Sequence, residues 1–355
     1  MPSIFFTGFP GFLGSELLPR VISRTGDDAL CLVQPKFRAL AEQRVRELVA
    51  AHPILARRIH IVEGDLTQSL EQVDANEISE IYHLAAVYDL SVPRDLGMRV
   101  NVTGTTRVLD LAERASRLQR LHYVSTCYVS GRHPGVFTEA DLEKGQRFNN
   151  HYEETKHLAE LEVRKRMSRI PATIYRPSVV VGNSATGVTQ KFDGPYFVMQ
   201  WLMRQPRIAV LPVVGRPSNY RFNVVPSDFV IRAIEFLSGL RGNVGRTYAL
   251  ADPNPLTVDE IINTIAAATE RRVVRVPLTK MLAKGALRYM PGVYRLMRIP
   301  AEAVDYFVHP TTYDTSNASA ELAGSGIVAP RFRDYAPRLV EFVRAHPEIG
   351  SAAMV

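Results

Sequence analysis

Residues 7–14 read Thr7-Gly8-Phe9-Pro10-Gly11-Phe12-Leu13-Gly14, and they stand between the apolar run Ile4-Phe5-Phe6 and a stretch with helical spacing over 14–25. Glycine at three places in a strand-to-helix turn permits a tight reversal, lets the backbone approach a pyrophosphate and lets helix and strand pack closely. The helix that follows points its free N–H groups at the phosphates. A glycine triplet alone says little; placed after a strand and before a helix, it reads as a dinucleotide site built from Gly8, Phe9, Pro10, Gly11, Phe12, Leu13 and Gly14.

Working outward, the first half alternates short β-branched or aromatic runs with helical patterns. Strands are predicted over 3–7, 29–33, 59–63, 80–84, 120–125 and 172–175, and helices over 14–25, 36–51, 100–115 and 152–168. That alternation predicts an α/β fold with a doubly wound parallel sheet covered on both faces. After Pro177 the chain turns to loops rich in Gly, Pro and Asn, with one helix predicted near 194–204. The stretches 222–226 and 247–250 read as short strands returning to the nucleotide domain. The predicted organisation is a nucleotide-binding domain over 1–182, with returning segments at about 220–251, and a smaller, interleaved C-terminal substrate-binding region over 183–219 and 252–355.

With 355 residues, 46% hydrophobic and 22% charged, the chain has the composition of an ordered globular protein able to bury a sizeable core. It shows no secretory leader and no apolar run near the roughly 20 residues that a membrane-spanning helix requires, so a cytoplasmic location is expected. Cys31 and Cys127 sit in apolar strand-like stretches, and neither a disulfide nor a metal site is expected. The net charge of +7 is concentrated: between Arg271 and Ala301 stand Arg271, Arg272, Arg275, Lys280, Lys284, Arg288, Arg295 and Arg298, with no Asp or Glu. No nucleic-acid reader motif accompanies this charge, and no nucleic-acid partner is expected.

At the end of the second predicted strand, an enzyme that prefers NAD usually places an acid against the ribose 2′-hydroxyl. Here the residues are Leu32-Val33-Gln34-Pro35-Lys36-Phe37-Arg38, and Lys36 and Arg38 offer cations for a 2′-phosphate instead. NADP(H) is therefore favoured over NAD(H). Further on, Tyr152-Glu153-Glu154-Thr155-Lys156 sets a phenol and an ammonium four residues apart on one helix face. A cation beside a tyrosine favours the phenolate and brings the group toward acid/base work near neutrality. Such a pair is also common on solvated helices, so its context decides.

That context is Val124-Ser125-Thr126-Cys127-Tyr128-Val129-Ser130-Gly131, where a strand ends in hydroxyl residues. With it, the chain resembles the extended branch of the short-chain dehydrogenase/reductase family over roughly residues 3 to 255. Gly64-Asp65-Leu66, His83-Leu84-Ala85-Ala86, Asn101-Val102-Thr103-Gly104-Thr105 and Tyr175-Arg176-Pro177 match the family's elements in order. The resemblance implies a Rossmann-type fold and a catalytic set of Thr126, Tyr152 and Lys156. Ser125 and Ser130 are the competing hydroxyls, but only Thr126 falls at the family's position relative to Gly131. It also implies cofactor contacts from Asp65, Leu66, Ala85, Ala86, Tyr152, Lys156, Pro177 and Val179.

Within that branch, Arg176-Pro177-Ser178-Val179-Val180-Val181-Gly182 and Asp193-Gly194-Pro195-Tyr196 resemble the fatty acyl-CoA and thioester reductase group. What this implies is an NADPH-dependent reductase of a fatty acyl thioester or its aldehyde. A dehydrogenase or epimerase acting on a secondary alcohol of a steroid-like or sugar substrate shares the same site and stays open. A sensor that kept the fold without catalysis is disfavoured by the intact Thr126, Tyr152 and Lys156. The stretch 278–299 interleaves Met281, Leu282, Leu287 and Met297 with Lys280, Lys284 and Arg288, and Pro291-Gly292 should break it in two. It reads either as a cover with a solvated basic face or as a surface for an acyl chain or a peripheral membrane contact. The family resemblance further implies a homodimer packed through 100–115 and 152–168.

Overall fold

The computed structural model describes residues 3–289 and 301–350. Its strands are β1 (Ser3–Thr7), β2 (Asp28–Val33), β3 (Ile59–Glu63), β4 (Ile78–His83), β5 (Arg120–Val124), β6 (Gly135–Phe137), β7 (Ala172–Pro177), β8 (Val179–Val181), β9 (Ile208–Val214), β10 (Val224–Pro226), β11 (Thr247–Leu250), β12 (Arg272–Leu278) and β13 (Thr311–Tyr313). Among the described residues, seven of these form one sheet in the order β3-β2-β1-β4-β5-β7-β11, with every pairing parallel. The strand order reverses between β1 and β4. In an open α/β sheet the crevice at that switch point, outside the carboxyl ends of the strands, is where a ligand binds.

The helices that matter for the site are α1 (Phe12–Thr25), α2 (Arg38–Ala51), α3 (Arg94–Gly97), α4 (Gly104–Arg114), α5 (His151–Arg166), α6 (Pro195–Met203), α7 (Ser227–Gly239), α8 (Val258–Ala268) and α9 (Lys280–Tyr289). Strand β1 shows why its run is apolar throughout. Side chains alternate in direction, so Ile4 and Phe6 enter one core with Leu17, Leu18 and Ile22 of α1 and Ile234 of α7, while Phe5 enters the opposite core with Val108 and Leu109 of α4 and Val163 of α5. A further core joins α6, α8 and the helix Phe332–Ala345 through Met199, Leu202, Ile261, Ile265, Tyr335 and Leu339.

The doubly wound sheet matches the sequence expectation, with three local differences. Thr247–Leu250 does return, as the edge strand beside β7, but Val224–Pro226 pairs with β8 in a separate two-stranded sheet. The helix expected from residue 36 starts as a single 3-10 turn at Pro35–Phe37 before α2, since Pro35 opens a turn well but brings no N–H. The helix expected over 100–115 is entered through a π-helical turn, Met98–Thr103. Two pairings join distant segments, β9 with β12 and β6 with β13, and these had no local signature.

Candidate active site

The glycine turn is sterically obligatory. Gly8 has φ +94°, and a Cβ on it would lie 2.9 Å from the Leu84 Cβ and 3.0 Å from the Ala85 nitrogen. A Cβ on Gly14 would overlap the Gly8 carbonyl oxygen. Gly11 donates its N–H to that carbonyl at 2.9 Å, which closes the turn. Helix α1 then begins at Phe12 with no side-chain cap and no acid in its first turn. Its first N–H groups and its positive end are free to meet an anion, which is the donor set a dinucleotide pyrophosphate needs.

This turn opens into a cavity of about 760 Å³. The cavity brings together residues 8–14, Lys36, Asp65, Leu66, Ala85, Ala86, Thr126, Tyr152, Lys156, Pro177 and Val179, which come from widely separated parts of the chain. Arg38 is the exception among the expected cofactor residues. Its guanidinium is held at 2.8 Å by both Glu42 and Glu63, and it does not line the cavity. Arg44, one and two-thirds turns further along α2, lines the wall in its place, together with Lys36. Gln34, where an acid was absent, donates to Asp65 at 3.0 Å and so ties the end of β2 to the loop after β3.

At the other end lie the three proposed reacting side chains. Helix α5 starts where Asn150 accepts the Glu153 N–H at 3.0 Å, an N-cap that sets the register of the helix and turns Tyr152 and Lys156 to the same buried face. Thr126 lies two residues beyond β5, at the N-cap of the 3-10 turn Cys127–Ser130. Its hydroxyl faces the Tyr152 phenol in the cavity and donates to the Pro177 carbonyl at 3.3 Å. The competing hydroxyls are spent elsewhere: Ser125 donates to Glu160 at 2.7 Å, and the buried Ser130 does not line the cavity.

The electrostatics differ from the sequence expectation in one respect. Burial pushes the Tyr152 phenol up, the Thr126 hydroxyl pulls it down, and Asp193 and Glu153 add to the rise. The Lys156 ammonium is bonded not to this phenol but to the Tyr123 hydroxyl (3.0 Å) and the Val124 carbonyl (2.9 Å). Burial in turn brings Lys156 down to about 7, with Glu160 opposing. The lysine therefore titrates near neutrality, where a small change in its surroundings alters its charge.

Sequence reasoning missed the wall facing Tyr152. Tyr88 meets the Tyr152 ring edge-on at 4.9 Å, and its phenol faces the buried Asp193. Lys191 pairs with Asp193 at 3.3 Å and donates to the Tyr88 carbonyl at 3.0 Å. Tyr128 and Tyr306 complete this side, 4.7 Å apart. Asp193 belongs to a segment already noted; Tyr88 and Tyr306 carry no local motif. Asn101 acts structurally: its amide oxygen accepts from Val87 at 2.8 Å and its amide nitrogen donates to Thr155 at 3.0 Å, which fastens the loop after β4 to α5.

Sheet order, glycine turn and a Thr-Tyr-Lys cluster at the switch point define an NAD(P)-dependent oxidoreductase of the extended short-chain dehydrogenase/reductase type. Residues 6–234 match the family described as male sterility protein, an NAD-binding family, and the chain belongs to it. It is similar to a linear gramicidin synthase polypeptide of Brevibacillus parabrevis, 29% identical over 73% of this chain and 5% of that one. It is also similar to a putative fatty acyl-CoA reductase of Drosophila melanogaster, 25% identical over 84% of this chain and 64% of that one. A third relative, an aldehyde reductase of Aspergillus flavus, is 25% identical over 85% of this chain and 32% of its own length. The chain thus spans less than two thirds of each of these relatives. Among solved structures, the terminal reductase domain of a myxalamid biosynthetic pathway superposes with a TM-score of 0.81 at 26% identity, covering 98% of this chain and 91% of that one.

Proposed function

We propose that the chain is an NADPH-dependent reductase that delivers hydride to the carbonyl carbon of an acyl thioester, fatty acyl-CoA among them, or of the derived aldehyde. The observation that carries this reading is that Thr126, the buried Tyr152 and Lys156 line one cavity together, at its end opposite the glycine turn's dinucleotide cradle. The relatives point the same way by name, as a fatty acyl-CoA reductase, an aldehyde reductase and a reductase domain.

When bound, the nicotinamide supplies the hydride. Tyr152 gives its phenolic proton to the carbonyl oxygen as negative charge develops there, and the Thr126 hydroxyl shares that charge. Lys156 holds the cofactor ribose and replenishes the proton. For a thioester, hydride on carbon and proton on oxygen give a hemithioacetal; breaking its C–S bond releases thiol and aldehyde. Lys36 and Arg44 are the cations placed for a 2′-phosphate, which supports NADPH over NADH.

The segments 183–219 and 252–355 form the substrate-binding region in this reading, since Lys191, Asp193 and Tyr306 come from them to face Tyr152. A homodimer through α4 and α5 is part of the proposal. So is contact of α9 with an acyl chain or lipid, supported by Met281, 81% exposed, and Leu282, 59% exposed. Lys280 and Lys284 of that helix are engaged by the buried Asp305, which leaves fewer cations for phosphate than the sequence offered. The rest of that stretch, 290–299 with the Pro291-Gly292 break, lies outside the described residues.

The test is consumption of NADPH by the purified chain with long-chain acyl-CoA, aldehydes, nucleotide sugars and steroids. Turnover of acyl-CoA or aldehyde, abolished in Tyr152→Phe, is the expected result. Turnover of only the sugars or steroids would replace this reading with a secondary-alcohol dehydrogenase. Cofactor binding without turnover of any would make the chain a sensor.

A further inference from the structure

Behind the cavity wall, five buried polar side chains lie between the glycine turn and the lysine read as catalytic. Thr7, the last residue before Gly8, lies 2.7 Å from the His83 Nδ1, and the His83 Nε2 lies 2.9 Å from the Thr105 hydroxyl. The Tyr123 phenol, which faces Thr105 and Ser125, accepts from the Lys156 Nζ at 3.0 Å. All five residues are at least 97% buried. None of them but Thr7 and Lys156 lines the cavity.

Counting protons fixes the direction of every bond. The single Thr105 hydroxyl proton goes to the Asn101 carbonyl, at 2.6 Å, so toward His83 and Tyr123 this oxygen can only accept. His83 must then carry its proton on Nε2, and its bare Nδ1 accepts from Thr7; burial holds the ring neutral, well below its ordinary range at about 3. An ammonium has no lone pair to offer, so toward Lys156 the Tyr123 hydroxyl can only accept. A second N–H of Lys156 goes to the Val124 carbonyl at 2.9 Å. One proton of the ammonium remains, and the cavity is the side left to receive it.

Resting on the reading of Lys156 as the catalytic lysine, we propose that Tyr123 is a positioning residue. Its hydroxyl, acting as acceptor beside the Val124 carbonyl, orients Lys156 so that a single N–H is left to address the cofactor ribose and Tyr152. The phenyl ring alone does not suffice for this. It stacks 4.6 Å below the ammonium, but without the hydroxyl it offers no direction for an individual N–H.

The test is the pH dependence of NADPH affinity, measured by fluorescence titration of the full chain. It needs no substrate. The groups facing Lys156 are Glu160 and Tyr152 on its own helix, Tyr123 on β5 and His83 on β4. Glu160 is clamped as a carboxylate by Arg176, and His83 is neutral, so the limb near neutrality belongs to the lysine. Affinity should be full while Lys156 is charged and fall as pH rises through its value. Tyr123→Phe removes an acceptor that favours the ammonium, so the limb should move to lower pH. Affinity at neutral pH should weaken about tenfold or more, the fold-change expected for losing a hydrogen bond to a charged group. Thr105→Val, which leaves the Tyr123 ring and hydroxyl in place, should shift the limb in the same direction by less, and it decides the matter if Tyr123→Phe does not fold. An unshifted limb in both variants overturns the positioning role. Lys156→Ala separates this from the underlying reading: if that variant keeps the wild-type limb, the assignment of Lys156 itself has failed.

Discussion

Arg38 and Arg44 stand on one helix, and only the second reaches the cavity. Six residues at 3.6 per turn put them on different sides of α2, and the side Arg38 occupies is the one where Glu42 and Glu63 wait. The consequence is a clear ordering. Arg44→Ala and Lys36→Ala should each raise the KM for NADPH about tenfold or more while leaving NADH nearly unaffected, as expected for losing a charged contact to a phosphate. Arg38→Ala should change neither, because its guanidinium does not reach the cavity, whereas Arg44, although paired with Glu47 at 2.7 Å, lines it. Steady-state kinetics with both cofactors checks all three. The acid-free end of β2 and the presence of cations were legible in the sequence. Which cation reaches the cavity was not, because that depends on the carboxylate that β3 brings alongside.

At the scale of elements, α5 carries both Tyr152 and Lys156, and one ion pair holds it against the sheet. Arg176 of β7 meets Glu160 at 2.6 Å with both side chains almost wholly buried, and Ser125 and Arg164 complete the carboxylate's partners. Burial disfavours the charged form, yet Arg176 and these bonds hold Glu160 below the ordinary carboxylate range. Glu160→Ala should cost about 3–5 kcal/mol, because it strands a buried guanidinium. Urea denaturation measures that loss. The sign in pH follows from the lowered value: the pair's contribution is present above the unfolded glutamate's pKa of about 4.3 and is lost as pH falls through the lower folded value. In the sequence Arg176 was visible only as part of a strand-end motif, and Glu160 was one acid among several on a helix. Their union required α5 to pack against β7.

Taken as a whole, the molecule is built around more than one core. The cores on either face of the parallel sheet hold the cofactor crevice, and the one around α6, α8 and Phe332–Ala345 holds the segments that wall the substrate end. Leu339 is fully buried in the latter, so Leu339→Ala should lose about 2–5 kcal/mol in urea denaturation. NADPH affinity should be retained in the folded variant, since the residue does not line the cavity. A matching loss of cofactor affinity would mean that the two parts are more tightly coupled than their packing indicates.

By itself, the sequence determined the parallel sheet, the glycine turn and the Tyr152–Lys156 spacing, while the family resemblance supplied Thr126. The first three are local matters: a periodicity of apolar residues, a backbone angle that only glycine tolerates, a spacing along one helix face. The tertiary structure alone decided that Lys156 points at Tyr123, that Arg44 rather than Arg38 faces the cavity, and that Tyr88 and Asp193 confront Tyr152. Those outcomes depend on residues from distant stretches being packed together out of water, where burial moves a lysine to about 7 and a shared proton dictates which way a hydrogen bond runs.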